Sequence, residues 1–238
     1  MMSSEKFPRL TATKTYTISE RKYELSPICD IGEFLNSIQI KPYERISVTL
    51  KSGIYMWEKC VALPDGCKLS ISGEGWKDGG KENKVLVSIN TKYSYKYVDG
   101  KDYAKIARLI INEYSKVLIV GVNFKEAIND PRGRAQYTAF RGVFNIYGDY
   151  SMLYLQQGVF EVSSSPFINV CAWFYGRIMF GYAHFTRIGG ESSTPIDIIG
   201  VERGANFGGG KALVSCSHST FSSGCSLGGE NVEVTKTK

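Results

Sequence analysis

The chain has 238 residues, 43% of them hydrophobic, and a formal charge of +6. That much apolar material supports one sizeable core and excludes a disordered chain, and only 7 prolines exclude a proline-rich stalk. The positive excess lies in residues 1–140, with 22 Lys+Arg against 16 Asp+Glu, while residues 141–238 carry 7 of each. The lysines alternate with acids, as on a solvated surface, and no nucleic-acid-binding module accompanies them, so nucleic acid is not expected as a partner.

Residues 1–28 read as an extended arm, and Thr11–Ile18 alternates like a strand. Residues 29–238 are expected to form one β domain, opened by a capping helix over about 30–39. Asp30 supplies an N-cap with Glu33 three residues on, and Ile31, Phe34, Leu35 and Ile38 fall on one helical face. Pro42 prevents continuation. Short β-rich runs then follow, each stopped by turn residues: Ile46–Leu50, Cys67–Ser72, Val85–Ile89, Lys116–Phe124, Met152–Phe160, Arg177–Phe185 and Ala212–Ser217. Residues 76–84 and 91–105 are polar and read as loops thrown out from the strands. No convincing second helix interrupts this series, which predicts an all-β parallel solenoid whose centre is buried and whose side walls are available for function.

Five Gly–Phe units support a repeat: Gly121-Val-Asn-Phe124, Gly142-Val-Phe144, Gly158-Val-Phe160, Gly181-Tyr-Ala-His-Phe185 and Gly204-Ala-Asn-Phe207. The phenylalanines are 20, 16, 25 and 22 residues apart. Stacked strands keep register while turns take up insertions, so unequal intervals are compatible with successive rungs.

The order Tyr16-Thr-Ile18, the helix Asp30–Ile38, Ile46-Ser-Val-Thr-Leu-Lys-Ser-Gly-Ile-Tyr55 and Lys68-Leu-Ser-Ile-Ser-Gly-Glu-Gly75 resembles the first rungs of pectin-lyase-like right-handed parallel β-helices. Ser215-Cys-Ser-His-Ser-Thr-Phe221 resembles their later rungs. Among such proteins, phage tail-spike and tail-fibre receptor-binding proteins are the most similar in character. The resemblance implies a right-handed parallel β-helix with an N-terminal capping helix, a homotrimer, a cell-surface polysaccharide or protein as partner, and a place on a virion tail or extracellular surface. A polysaccharide-acting enzyme on the same scaffold, a depolymerase of lyase, hydrolase or esterase type, stays open beside it.

Candidate chemistry is sparse. Gly75-Trp-Lys-Asp-Gly-Gly-Lys81 has part of a phosphate-loop pattern, but Glu82 stands where Ser/Thr is needed and a strand follows instead of a helix. Cys216 and His218 are alternate residues and would share a face of a continuous strand, but as a core ladder if Cys216 points inward. A zinc site from Cys216, His218 and Cys225 lacks a paired-ligand spacing, so no metal or other cofactor is expected. The carboxylate set for an enzyme would come from Asp149, Glu161, Asp197 and Glu202, with Arg203 beside them. For ligand binding or an interface, Trp173, Phe174, Tyr175, Phe180 and Tyr182 stand out, with Arg177 and Arg187. Residues 141–190 hold just five charged residues, which points to a wall covered by another subunit. The polar start of the chain and the absence of any run near ~18 apolar residues give no expectation of a signal peptide or of membrane insertion, so a cytoplasmic place is expected if the chain is not of phage origin.

Overall fold

The strands fall where β-branched and aromatic residues alternate with small or polar ones. In the computed structural model, which describes residues 20–75, 83–90, 95–98, 101–104, 107–127, 142–163, 166–172, 175–188, 196–201, 210–228 and 231–237, the architecture is nearly all β. The expected strand at Thr11–Ile18, the segment 76–82, Trp173, Phe174, Glu202, Arg203 and the unit Gly204–Phe207 lie outside the described residues.

The chain opens with β1 (Glu20–Leu25) and α1 (Ile31–Ser37). Strands β2 (Arg45–Leu50), β3 (Gly53–Met56) and β4 (Val61–Leu63) make a first circuit. A second follows through β5 (Lys68–Gly73), β6 (Val85–Asn90), the antiparallel hairpin β7 (Tyr95–Val98) and β8 (Lys101–Ala104), and β9 (Leu109–Ile111). Next come β10 (Lys116–Val120), β11 (Asn123–Ala127) and β12 (Phe144–Ile146), then β13 (Met152–Val162) and β14 (Ile168–Val170). The last circuits are β15 (Tyr175–Arg187) and β16 (Ile196–Val201), then β17 (Lys211–Ser217), β18 (Thr220–Phe221) and β19 (Cys225–Gly228), with β20 (Val232–Thr237) at the end.

Each circuit lays its strands parallel on those of the previous one. The first strands form the stack β1-β2-β5-β10-β13-β15-β17-β20. The second strands form β3-β6-β11, and join the first stack through the long strands β13 and β15. The third strands make a separate six-stranded sheet, β4-β9-β12-β14-β16-β19. Two readings change here. Residues 20–25, expected in the arm, are an integral edge strand, and residues 91–105, expected as plain loop, contain the β7–β8 hairpin.

Inward positions form apolar ladders. Ile46, Leu69, Val117, Leu153, Ile178 and Val214 share one register position, and every one is buried. Phe124, Phe160, Phe185 and Phe221 share another. Their rings stack at 5.5, 4.8 and 5.3 Å between centroids, with interplanar angles of 7°, 19° and 2°. The expected Gly–Phe repeat is therefore real for Phe124, Phe160 and Phe185 but not for Phe144. Phe144 belongs to the six-stranded sheet and meets Phe124 edge-on at 5.8 Å. Phe221, outside the repeat as read, is the fourth member of the ladder.

Helix α1 forms as expected. Asp30 Oδ1 accepts from the Glu33 N–H (2.9 Å), Ile31 and Leu35 are buried, and Phe34 and Ile38 pack against the core. The helix also closes the edge of the six-stranded sheet below β4. There the Glu58 N–H donates to Asp30 Oδ2 (3.0 Å) and Asn36 Nδ2 to the Cys60 carbonyl (3.1 Å), which satisfies edge groups that would otherwise invite another strand. Among the described residues, no helix is long and apolar enough to cross a membrane.

Candidate functional site

Where the chain enters the first stack after α1, β4, β9 and β12, it turns through a common pattern. Pro42-Tyr43-Glu44-Arg45, Asp65-Gly66-Cys67-Lys68, Glu113-Tyr114-Ser115-Lys116 and Asp149-Tyr150-Ser151-Met152 lie on one another, because Arg45, Lys68, Lys116 and Met152 share a register position. The turns are bonded together: the Tyr43 N–H donates to the Asp65 carbonyl (3.0 Å), Gly66 to Glu113 (2.8 Å) and Tyr114 to Asp149 (3.0 Å).

The third residue of each turn points inward. Ser115 Oγ donates to the Pro64 carbonyl (2.9 Å) and accepts from the Cys67 N–H (3.2 Å), while Ser151 Oγ donates to the Asn112 carbonyl. In the first turn this place is taken by buried Glu44, which accepts from Arg21 Nη2 (2.7 Å) and from the Lys41 N–H (3.0 Å). Burial works to raise the Glu44 carboxyl, but the hydrogen bonds from Arg21 and Lys41 prevail and hold it below its ordinary range. Its folded-state value is depressed, so its contribution is present above the unfolded carboxylate range near ~4.3 and fades as pH falls through that range and below. We therefore expect Glu44→Gln to flatten the acid side of a stability-against-pH curve. An unchanged acid limb in urea titrations between neutral and acid pH would show that the pair contributes nothing.

The second residue of each turn is left-handed, with φ of +62° at Tyr43, +70° at Gly66, +58° at Tyr114 and +58° at Tyr150. Glycine adopts this without penalty, whereas a bulky side chain costs about 1–2 kcal/mol there. The tyrosines are nevertheless exposed, at 68% for Tyr43, 54% for Tyr114 and 45% for Tyr150. The Tyr43 ring leans over Gly66, where an added Cβ would lie 2.2 Å from its Cδ1. Tyr114 and Tyr150 stack at 5.4 Å and 7°, and Tyr150 meets Tyr175 edge-on at 5.5 Å. Tyr175 continues the row because Tyr175-Gly176-Arg177 is in register with Tyr150-Ser151-Met152.

Two residues after each ring position the side chain again faces outward. These positions hold Arg45, Lys68, Lys116, Met152 and Arg177, and all four cations are exposed. The Arg177 guanidinium lies 5.4 Å from the Tyr175 ring centre. Next to the cations, Ser47 and Ser70 leave a depression on the outer face of β2 and β5, walled by Leu118, Tyr154 and Gln156. This groove has a volume of about 570 Å³.

The structure separates the other residues singled out from sequence. Asp149 lies in a turn, its carbonyl accepting from Tyr114, with Glu113 and Asp65 at the equivalent places of neighbouring turns. Asp197 is on the outer face of β16 and accepts from Ser226 Oγ. Its row corresponds to Gly142, four residues before the end of β12 and two strands away. At ~3.3 Å per residue, that already exceeds the ~9.5 Å span of a glycosidase pair, so Asp149 and Asp197 are not brought together. Glu161 is on β13 and pairs with Lys125 at 3.2 Å.

The aromatic set also divides. Phe180 is core. Tyr175 and Arg177 join the corner just described, while Tyr182 stacks on His218 at 4.6 Å at another corner and half-buried Arg187 ends β15. Cys216 is buried, and burial raises its thiol pKa; His218 adopts φ +50°, breaks the strand alternation and points outward. Of the charge-poor residues 141–190, Val143, Leu153, Leu155, Val162, Phe167 and Ile178 are interior with the phenylalanines already named, while Tyr147, Tyr150, Val159, Met179 and Tyr182 are exposed.

Sequence reading singled out Tyr175 and Arg177 but missed the rest of the corner. Its signal is Tyr-x-Arg/Lys at 43–45, 114–116 and 175–177, with Gly66-x-Lys68 and Tyr150-x-Met152 as variants. Intervals of 23, 48, 36 and 25 residues conceal that recurrence. Comparison with protein-family models, with curated proteins and with solved structures returned no match for this chain.

Proposed function

We propose that the chain is a right-handed parallel β-helix of the pectin-lyase-like kind, acting as a receptor-binding module of tail-spike or tail-fibre type on a virion or cell exterior. In this reading it recognises a cell-surface glycan through the row Tyr43, Tyr114, Tyr150 and Tyr175. The observation that carries the proposal is the retention of exposed tyrosines at a backbone conformation that Gly66 satisfies without strain. Residues held against their backbone preference are a mark of functional sites. Sugar rings present flat C–H faces, and a row of exposed aromatic rings is the complementary surface. The proposal does not depend on the expected homotrimer: many apolar side chains of residues 141–190 are interior, while Tyr147, Val159, Met179 and Tyr182 are exposed.

The test uses the glycine already found at the equivalent turn. Tyr114→Gly combined with Tyr150→Gly removes two rings and relieves two left-handed tyrosines, so the β-sheet circular dichroism and the unfolding midpoint should be kept. Affinity for the polysaccharides retained by the native chain on a surface-glycan array should fall about tenfold or more, as expected for two stacking contacts of ~0.5–1.5 kcal/mol each. Unchanged affinity in the folded double variant, or no glycan retained by the native chain, would overturn the reading. Release of reducing or unsaturated ends from a retained polysaccharide would transfer it to the enzyme class.

A further inference from the structure

Both histidines of the chain come together at the corner where first strands pass into second strands, away from the tyrosine row. Gly121, Gln157, Tyr182 and His218 each follow a register-matched residue of the first stack, and all four are left-handed, with φ of +66°, +51°, +53° and +50°. Gly121 shows that glycine serves this turn, so Tyr182 and His218 keep their side chains there against backbone preference. Just past the turn, His184 is paired with Thr220, and between the two rows the Ala183 N–H donates to Ser219 Oγ (3.2 Å). Tyr182, His184, His218 and Thr220 therefore form one square of exposed side chains. Tyr182 stacks on His218 at 4.6 Å and 4°, and His184 Nδ1 is hydrogen-bonded to Thr220 Oγ1 (2.8 Å), which leaves the two histidines on a diagonal. Two residues along a strand and one strand across put their backbones about 8 Å apart.

We infer that His184 and His218 jointly ligate one divalent transition-metal ion of the imidazole-preferring class, with Zn²⁺ as its fitting member, through their Nε2 atoms. A metal-bound imidazole carries its proton on the other nitrogen and donates it to a fixed oxygen, which sets the orientation of the ring. Both rings already have that oxygen, Thr220 Oγ1 for His184 and Ser217 Oγ (2.9 Å) for His218. Neither Nε2 has a partner among the described residues. With Zn–N distances of ~2.0–2.1 Å, two imidazoles reaching from backbones about 8 Å apart can share one ion. Cys216 is buried in the core, Cys225 lies on the six-stranded sheet, and among the described residues no group of three His, Cys, Asp or Glu forms, so water completes the coordination and the ion exchanges freely. Zn²⁺ imposes no geometry of its own and accepts such a sphere. The ion ties β15 to the two-residue strand β18 and the turn before it, where pairing between successive circuits is short. This assignment is independent of the glycan reading, which rests on another corner.

The experiment titrates Zn²⁺ into the full chain carrying Cys60→Ser, which removes the exposed thiol, and follows the ring-proton NMR signals of the two histidines. Both signals should move on one saturation curve at one ion per chain, and the unfolding midpoint should rise with Zn²⁺, because the ion binds the folded corner and not the separated strands. His184→Gln and His218→Gly should each lower Zn²⁺ affinity about tenfold or more and abolish the rise. His218→Gly puts glycine where Gly121 stands in the equivalent turn, and His184 is exposed, so both variants keep the β-sheet circular dichroism. Separate saturation of the two signals, or unchanged Zn²⁺ affinity in either variant, would overturn shared ligation and leave only adventitious binding to single side chains. Signals that stay fixed up to millimolar Zn²⁺ would overturn the site outright.

Discussion

Phe160→Ala is expected to lower the unfolding free energy by about 4 kcal/mol, the largest effect of any single truncation proposed for this protein. Phe160 is fully buried in the middle of the Phe124–Phe160–Phe185–Phe221 ladder, stacked on both neighbours and edge-on to Phe167 at 6.3 Å. Removing the ring leaves a cavity that the neighbouring circuits cannot fill, because each backbone is fixed by parallel pairing on both sides. For a chain of this size the melting temperature should drop by about 8–15 °C. Phe221→Ala, at the partly buried end of the ladder, should cost markedly less, since water already reaches that ring. Equal losses in urea unfolding for the two variants would mean that the rings do not act as one stacked column.

Gly148→Ala is the second. A Cβ at Gly148 would lie 2.0 Å from the Glu113 backbone nitrogen and 2.4 Å from its Cα, so one turn presses directly on the turn beneath. Neither backbone can yield cheaply, because the Tyr114 N–H is bonded to the Asp149 carbonyl in the same place. Overpacking of this kind costs about 1–3 kcal/mol. It should also separate Tyr114 from Tyr150 and so weaken glycan binding together with stability. Gly181→Ala makes the control, since its Cβ would meet Gln156 Cγ at an ordinary 3.5 Å and should change stability by less than about 0.5 kcal/mol. If Gly148→Ala unfolds at the native midpoint, the close approach of the two turns is not a constraint.

Much of the scaffold was legible because its causes are local. The Asp30 N-cap, whose side chain accepts from the Glu33 N–H, and the apolar stripe Ile31, Leu35 are signals that lie within the helix itself. Runs such as Ile46–Leu50 and Lys68–Gly73 alternate apolar residues with polar or small ones, which suits one face in a core and one in water. The Cys216 and His218 pair shows the limit of that logic. Alternation places two side chains together only while the strand continues, and a left-handed His218 ends it. The carboxylates fail for a related reason: Asp149 and Asp197 are separated by register, which no single segment encodes.

By itself, the sequence determined the helix, most strands of the first stack and the parallel-strand class, through periodicity and capping within a few residues of each element, while most of the short strands of the six-stranded sheet went unread. Which residues meet was decided by the tertiary structure alone. Insertions between circuits, among them the β7–β8 hairpin, make the sequence distance between stacked positions vary while the hydrogen-bonded ladder keeps their spacing constant. Phe221 therefore replaces the Phe144 of the apparent repeat in the core column. By the same register, tyrosines and cations spread over residues 43–177 become one corner, where backbone strain, ring stacking and a row of cations coincide.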